Sequence, residues 1–320
     1  MQDRIDRKSD FESMSHIEVA TQESKQSSQS KLKHSVLNGN HAILCGPPGT
    51  GKSRAVELLL KDIENEVAFK EIVQFHPSYS YQDFVEGYTI DDGKYVPSKG
   101  LLFRFIEETK DLAPEKLKLL IIDEINRGDI PSIFGELMLL LDRDNNRTVN
   151  TSKFGNQLSL PDNFVIIGTM NTADRSIKQL DLALRRRFKF IFVAPDYEGL
   201  TEWLNGYTFT FDNFEISDYV GAIKKLNERI TKHPLLGKNM TLGQSIFVPN
   251  TGSAINLTDL TNIFNEIVLP QLEAYIGMGN RKELDELFGT PEVRKKLDIA
   301  DNLTEQDLIN LINLLVTAQE

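Results

Sequence analysis

The sequence predicts an α/β fold: a mostly parallel sheet with helices on both faces, then a smaller, mostly helical domain. Three observations lead there. Short apolar runs alternate with helical stretches between residues 41 and 193. A glycine-rich motif joins the first apolar run to the first helix. After Pro195 helical patterning dominates. Strands alternating with helices imply crossover connections and parallel pairing.

The elements follow in order. His41–Cys45 is a short apolar strand, and Arg54–Lys61 has helical character. Glu71–His76 reads as a second strand and Leu117–Ile122 as a third. Asn163–Gly168 and Phe188–Val193 are the fourth and fifth. The third is almost wholly apolar, as a strand covered on both faces should be. Leu101–Lys110, Ser132–Leu141 and Leu180–Arg187 supply helices between them. Tyr88–Val96 reads as a hairpin turning at Asp92-Gly93, and Arg147–Leu160 as another. Beyond Pro195, Tyr219–Lys232, Leu257–Gly277 and Thr304–Ala318 are expected helices.

The expected domains are a leader at 1–34, a large α/β domain at 35–195 and a helical domain at 196–320. Thr21–Ser30 contains no aromatic or aliphatic residue, so it buries too little to offset the entropy of ordering. Ile5, Phe11, Met14, Ile17 and Val19 fit either a short helix or a frayed leader.

Composition narrows the functional classes. The chain has 320 residues, with 36 Lys plus Arg against 47 Asp plus Glu, a net charge of −11. That balance argues against a surface coated in cations for nucleic acid or anionic lipid. The single cysteine, Cys45, excludes an intramolecular disulfide and Cys-based zinc sites, and fits a cytoplasmic location. No apolar run approaches the ~20 residues of a membrane span. Met1–Lys8 lacks the apolar core of a signal peptide.

Gly46-Pro47-Pro48-Gly49-Thr50-Gly51-Lys52-Ser53 matches the phosphate-loop pattern G-x-x-x-x-G-K-[ST], in the strand–loop–helix context it needs. Its glycines let backbone N–H groups close around phosphate oxygens, helped by the partial charge of the helix N-terminus. Lys52 is expected to reach the β- and γ-phosphates and Ser53 to ligate Mg²⁺. Arg54 completes the nucleotide-contacting stretch.

Leu119–Ile122 ends in Asp123-Glu124. Acids are not tolerated inside a buried strand, so the pair should emerge at the carboxyl edge of the sheet, where the phosphate loop lies. Asp123 would hold Mg²⁺, and Glu124 would orient and activate the attacking water. Asn126 and Arg127 either sense the γ-phosphate, pair across a subunit interface or form a surface loop. Val165–Gly168 leads to Asn171, expected beside Glu124, with Asp174 and Arg175 just beyond. Arg185-Arg186-Arg187 closes the next helix, where cations are favoured. An arginine entering a neighbour's site would neutralise transition-state charge, and Arg185 and Arg186 are the candidates.

Taken in order, these pieces resemble the AAA+ superfamily, most closely its McrB-like branch of motor subunits from modification-dependent restriction systems. Gly46–Ser53, Phe75–Gly87, Ile122–Gly128 and Met170–Ile177 carry the resemblance, with Leu242–Pro249 and Ile267–Tyr275 beyond. It implies an AAA+ αβα sandwich of the P-loop NTPase class with a C-terminal helical lid, assembled into a ring, a hexamer, with nucleotide at each interface. It implies Mg²⁺ and GTP rather than ATP, and an McrC-like partner that stimulates hydrolysis and carries the nuclease used in anti-phage defence. By the same resemblance Asn171 is the sensor, Arg185 or Arg186 the trans-acting finger, and Asn126 and Arg127 part of the catalytic interface. Asp174 belongs to the segment that marks the GTP-using branch. About 35 residues precede the motor, so DNA contact is expected to be indirect, through the pore or the partner. Gln244-Ser245 stands where a lid contact to the γ-phosphate is expected. The alternatives are an ATP-using remodelling motor of the MoxR or dynein-like branches, and a nucleotide-gated scaffold. Glu124 argues against the scaffold, and the lack of Asn-Lys-x-Asp argues against a Ras-like G protein.

Overall fold

The computed structural model describes residues 27–142, 148–174, 182–250, 252–277, 281–288 and 302–317. The leader residues Ile5 to Val19, Arg147, Arg175, Ile177, Leu180 and Ala318 lie outside them. Helix α1 (Ser28–Leu37) opens the described chain, capped by the Ser27 hydroxyl, which accepts from the Ser30 amide at 3.2 Å. Leu32 and Val36 are buried. Four residues apart, they share one face of a helix, which packs on the sheet. The leader boundary drawn at residue 34 therefore falls inside a helix.

Five parallel strands form the main sheet: β1 (Ala42–Gly46), β2 (Val67–Gln74), β3 (Leu117–Asp123), β4 (Phe164–Asn171) and β5 (Lys189–Phe192). Their spatial order is β2-β3-β4-β1-β5. β2 starts four residues before the expected strand. As an edge strand it has one half-buried face, and polar residues dilute its apolar signal. Alternate residues feed two cores. Leu44, Leu119, Ile121, Val165 and Ile167 pack beneath α1 and α2 (Lys52–Asp62). Ile43, Leu120, Ile122 and Ile166 pack beneath α3 (Leu101–Thr109) and the segment Ile130–Leu141. That last segment is not the single helix expected over Ser132–Leu141. Gly135, at φ 51° and ψ −131°, breaks an α turn from a 3-10 run.

Polar groups pin the amino end of the sheet. His41 Nδ1 accepts from the Ile166 amide at 3.0 Å, so this nitrogen is unprotonated. Buried Lys118 donates to the carbonyls of Ala113 and Asp162, each at 3.1 Å. The Asn163 amide nitrogen donates to the Pro114 carbonyl.

Two hairpins stand off the sheet, at Glu86–Asp91 with Lys94–Lys99 and at Val149–Asn150 with Gln157–Leu158. Buried Glu86 joins them, accepting from the Phe154 amide at 2.9 Å and from Asn156 Nδ2 at 2.8 Å. The Tyr88 and Phe154 rings meet edge to face at 5.0 Å. Burial pushes the Glu86 carboxyl pKa up, but hydrogen bonds from Thr151, Asn156, Phe154 and Lys153 more than offset this and hold it below the usual value. A depressed carboxylate stabilises the fold above its unfolded pKa, and this contribution is lost as pH falls through the lower folded value. Glu86→Ala is expected to cost about 2–3 kcal/mol at neutral pH, since the Phe154 amide and Asn156 Nδ2, at the least, lose a charged acceptor. Calorimetry at pH 7 and again near pH 3 should show the difference from wild type shrinking. A gap that stays constant would count against the ionised carboxylate.

Tyr79, Tyr81 and Phe84 serve packing. Tyr79 stacks on Phe75 at 4.7 Å, Phe84 is fully buried, and the Tyr81 hydroxyl donates to Glu136 at 2.6 Å. Burial and that bond to Glu136 raise the Tyr81 pKa to about 12.

A separate apolar cluster runs from Leu200 to Leu315, with Ala173 at its margin. Helix α4 (Ile216–Lys232) crosses it, turning Tyr219, Ile223, Leu226 and Ile230 inward at helical spacing. It begins three residues before the expected Tyr219, because Glu215 and Asp218 form a capping box. Leu257–Ile276 is helical throughout but passes through a π segment at Phe264–Val268. Among the described residues no helix is long and apolar enough to cross a membrane.

Candidate functional site

The phosphate loop leaves β1 at Gly46 and turns into α2 at Lys52. Gly49 and Gly51 have φ of 77° and 81°, the left-handed region where a side chain is strained. Lys52 Nζ donates to the carbonyls of Gly46 at 3.0 Å and Pro47 at 2.7 Å. Thr50 Oγ1 donates to the Pro47 carbonyl at 2.9 Å. Burial lowers the Lys52 pKa, opposed by Glu124, Cys45 and Asp123. The loop's own carbonyls thus hold a cation that phosphate oxygens would take over.

Pairing across the sheet delivers the acids to this loop. Gly46 lies beside Asn171, and the Thr172 amide donates to the Gly46 carbonyl at 3.0 Å. Ser53 Oγ donates to Asp123 Oδ1 at 3.2 Å. Two hard oxygens side by side suit Mg²⁺, and Ser53 and Asp123 are the residues that would hold it. Buried Thr169 also donates to Asp123 Oδ1 and accepts from the Glu124 amide at 3.1 Å. One hydroxyl on β4 therefore holds the Asp123 carboxylate and the Glu124 backbone at the end of β3.

Glu124 sits at φ 52° and ψ 44°, an uncommon conformation for a residue with a side chain. Its Oε2 lies 3.4 Å from Arg127 Nε. Arg127 is substantially exposed, so the pair is weak and easily exchanged. Asn126 is buried, and its Nδ2 donates to the Asn171 carbonyl at 3.1 Å. Asn126 Oδ1 is buried without a hydrogen-bond donor among the described residues. Asn171 Oδ1 accepts from the Ala173 amide at 3.3 Å. Asp123, Glu124 and Asn171 thus emerge from their strand ends beside the loop, and Asn126 and Arg127 lie on the turn that follows, bonded to Asn171 and paired with Glu124.

Other expected residues lie differently. Arg54 is exposed and pairs with Glu57 one turn along α2, at 3.2 Å. Asp174 is partly buried at the last described position before 182. Arg185 and Arg186 are exposed at the end of the short helix Leu182–Arg185. Arg187 differs from them: its buried guanidinium pairs with Asp142 at 2.7 Å. Thr169 is the further site residue, and nothing in the sequence marks it beyond its place two residues before a strand end.

Gln244 also takes an unexpected place. Its Nε2 donates to the Thr50 carbonyl at 3.1 Å, on the backbone of the phosphate loop, and its Oε1 accepts from the Asp196 amide at 3.1 Å.

Residues 41–188 match the family described as AAA domain (dynein-related subfamily), and residues 218–279 the family described as McrB, alpha-helical lid domain. The chain is 36% identical over 266 residues to the type IV methyl-directed restriction enzyme EcoKMcrB subunit of Escherichia coli K12, covering 76% of this chain and 55% of that protein. It is 28% identical over 254 residues to the type II restriction enzyme BsuMI component YdiS of Bacillus subtilis 168, covering 64% and 74%. An uncharacterized E. coli K12 protein, YehL, is 30% identical over 167 residues, covering 50% and 43%. The chain spans about half the length of the EcoKMcrB subunit.

Proposed function

Because the chain belongs to the McrB-like branch of the AAA+ superfamily, we propose that it is an oligomeric NTPase motor that hydrolyses GTP and powers or regulates a partner nuclease of a restriction system. The observation that carries the hydrolytic reading is the bonded pair Ser53–Asp123 beside the phosphate loop, with Glu124 next in the chain. The match to named restriction-enzyme components supports the setting.

In this reading the loop amides and Lys52 bind the β- and γ-phosphates, and Lys52 exchanges its carbonyl partners for phosphate oxygens. A bound Mg²⁺, held by Ser53 and Asp123, would supply charge neutralisation of the phosphates. Glu124 releases Arg127, orients a water in line with the γ-phosphorus and takes its proton. Asn171, held by Asn126, orients the γ-phosphate. The exposure of Arg185 and Arg186 supports a role in a neighbouring subunit's site, within a ring closed by repeated heterologous contacts. Residues 196–320 act as the lid, and the partner is an McrC-like nuclease subunit.

The test is Mg²⁺-dependent hydrolysis of GTP and ATP across a range of protein concentrations. GTP turnover per subunit should rise with concentration, and equal mixtures of Arg185→Ala or Arg186→Ala with Lys52→Ala should regain activity only if the finger acts in trans. A clear ATP preference would instead favour a remodelling motor of the MoxR or dynein-like branches. Turnover per subunit that is independent of concentration in a protein that stays monomeric would overturn the shared site.

A further inference from the structure

Four hydrogen bonds tie the lid segment at 243–245 to the backbone carbonyls of the phosphate loop and to the residue that starts the lid. The amides of Gly243 and Ser245 donate to the carbonyls of Pro48 at 2.9 Å and Gly49 at 3.0 Å. Gln244 Nε2 takes the next carbonyl, Thr50, at 3.1 Å. Three consecutive loop carbonyls are thus held by three consecutive lid residues. Gln244 Oε1 meanwhile holds the Asp196 amide at 3.1 Å, directly before the helix at Tyr197–Leu204.

The contact leaves no slack. A Cβ at Gly243 would stand 2.0 Å from the Gly49 carbonyl carbon, and one at Gly49 would stand 2.7 Å from Ile246 Cγ1. The segment is anchored from behind as well. Buried Asn227 on α4 donates to the Leu242 carbonyl at 2.9 Å and accepts from the Leu242 amide at 2.8 Å. A chain of bonds therefore runs from the main lid helix to the loop.

Peptide groups have two ends. With the loop carbonyls fixed outward by the lid, the orientation of the same peptide planes is fixed for the N–H groups that face the phosphates. We propose that Gln244 is a positioning residue for the phosphate loop, shaping it for nucleotide from the side opposite the ligand. It touches the loop backbone rather than the γ-phosphate. Its effect is therefore common to nucleoside di- and triphosphates, and loop and lid move as one body. The proposal rests on the nucleotide-binding reading above.

The experiment is calorimetric titration of the full chain with GDP and GTPγS, and in parallel with ADP and ATPγS. Gln244→Ala should weaken the diphosphate and the triphosphate by the same factor, roughly 10-fold, as for two lost hydrogen bonds. Gln244→Glu should reproduce the loss, because a carboxylate still accepts from Asp196 but repels the Thr50 carbonyl. Nucleotide should slow amide exchange in a peptide spanning residues 240–247 of the wild type, and less so in either variant. Melting temperatures within about 3 °C of wild type would separate this from a general loss of fold. Affinities within twofold of wild type would overturn the proposal. So would a loss confined to the triphosphate, which would make Gln244 a γ-phosphate contact. A wild type that binds only the adenine pair would sink GTP specificity and leave Gln244 to be judged with ADP and ATPγS. A wild type that binds neither pair would end both readings.

Discussion

Glu124→Gln is expected to bind nucleotide with near-wild-type affinity and to hydrolyse it about 10²–10⁴-fold more slowly, the range for losing a positioned general base. The substitution keeps the shape of the side chain and leaves the Glu124 amide bonded to Thr169. It removes only the charge and basicity needed to take a proton from water. The ion pair with Arg127 is lost, but at 3.4 Å and with an exposed Arg127 side chain it contributes little. Single-turnover hydrolysis at saturating nucleotide measures the chemical step directly. A rate within tenfold of wild type would remove Glu124 from the chemistry and turn attention to Asn126, whose buried Oδ1 is the other acceptor in place.

Thr169→Val is the second large effect, and the more informative for how the site is built. Valine keeps the shape and deletes the hydroxyl. Asp123 loses a charge-assisted bond, and the Glu124 amide loses its acceptor at a left-handed backbone position. Together these should cost about 2.5–6 kcal/mol, from roughly 1.5–3 for the charged bond and 1–3 for the orphaned amide. We expect kcat to fall on the order of 10–100-fold while KM changes little, because the β-phosphate cradle lies on the loop. Thr169→Ser should restore most of the rate. Failure of serine to rescue would mean that the methyl group, and so packing, carries the effect.

Much of the main domain was legible because its chemistry is local. A phosphate loop is a backbone shape written in eight consecutive residues, and a buried parallel strand is a nearly unbroken apolar run such as Leu119–Ile122. Carboxylates at the end of such a run have one place to go, which is why Asp123, Glu124 and Asn171 converge as expected. What escaped depends on contacts distant in the chain. Gln244 meets Thr50 across 194 residues, and Glu86 meets Asn156 across 70. Neither residue has a local pattern that marks it as buried or bridging. Helix α1 was hidden for a different reason: two buried apolar residues in a mostly polar stretch, Leu32 and Val36, suffice when a sheet is there to receive them. The break at Gly135 was hidden because a lone glycine in an apolar stretch is compatible with an unbroken helix.

The polar bonds at the amino end of the sheet have a reach beyond stability. β4 is apolar on both faces from Phe164 to Ile167, so hydrophobic alternation alone cannot tell the correct alignment from one shifted by a residue. Such a shift would put Gly168 and Met170 where Thr169 and Asn171 now stand. His41, Lys118 and Asn163, at the opposite end of the strands, discriminate between the two alignments by bonding to or beside β4. They act as the vernier of the active centre. Lesions there should appear as mis-set catalysis in a protein that still folds, with the fault lying at the far end of the strand from where it is felt.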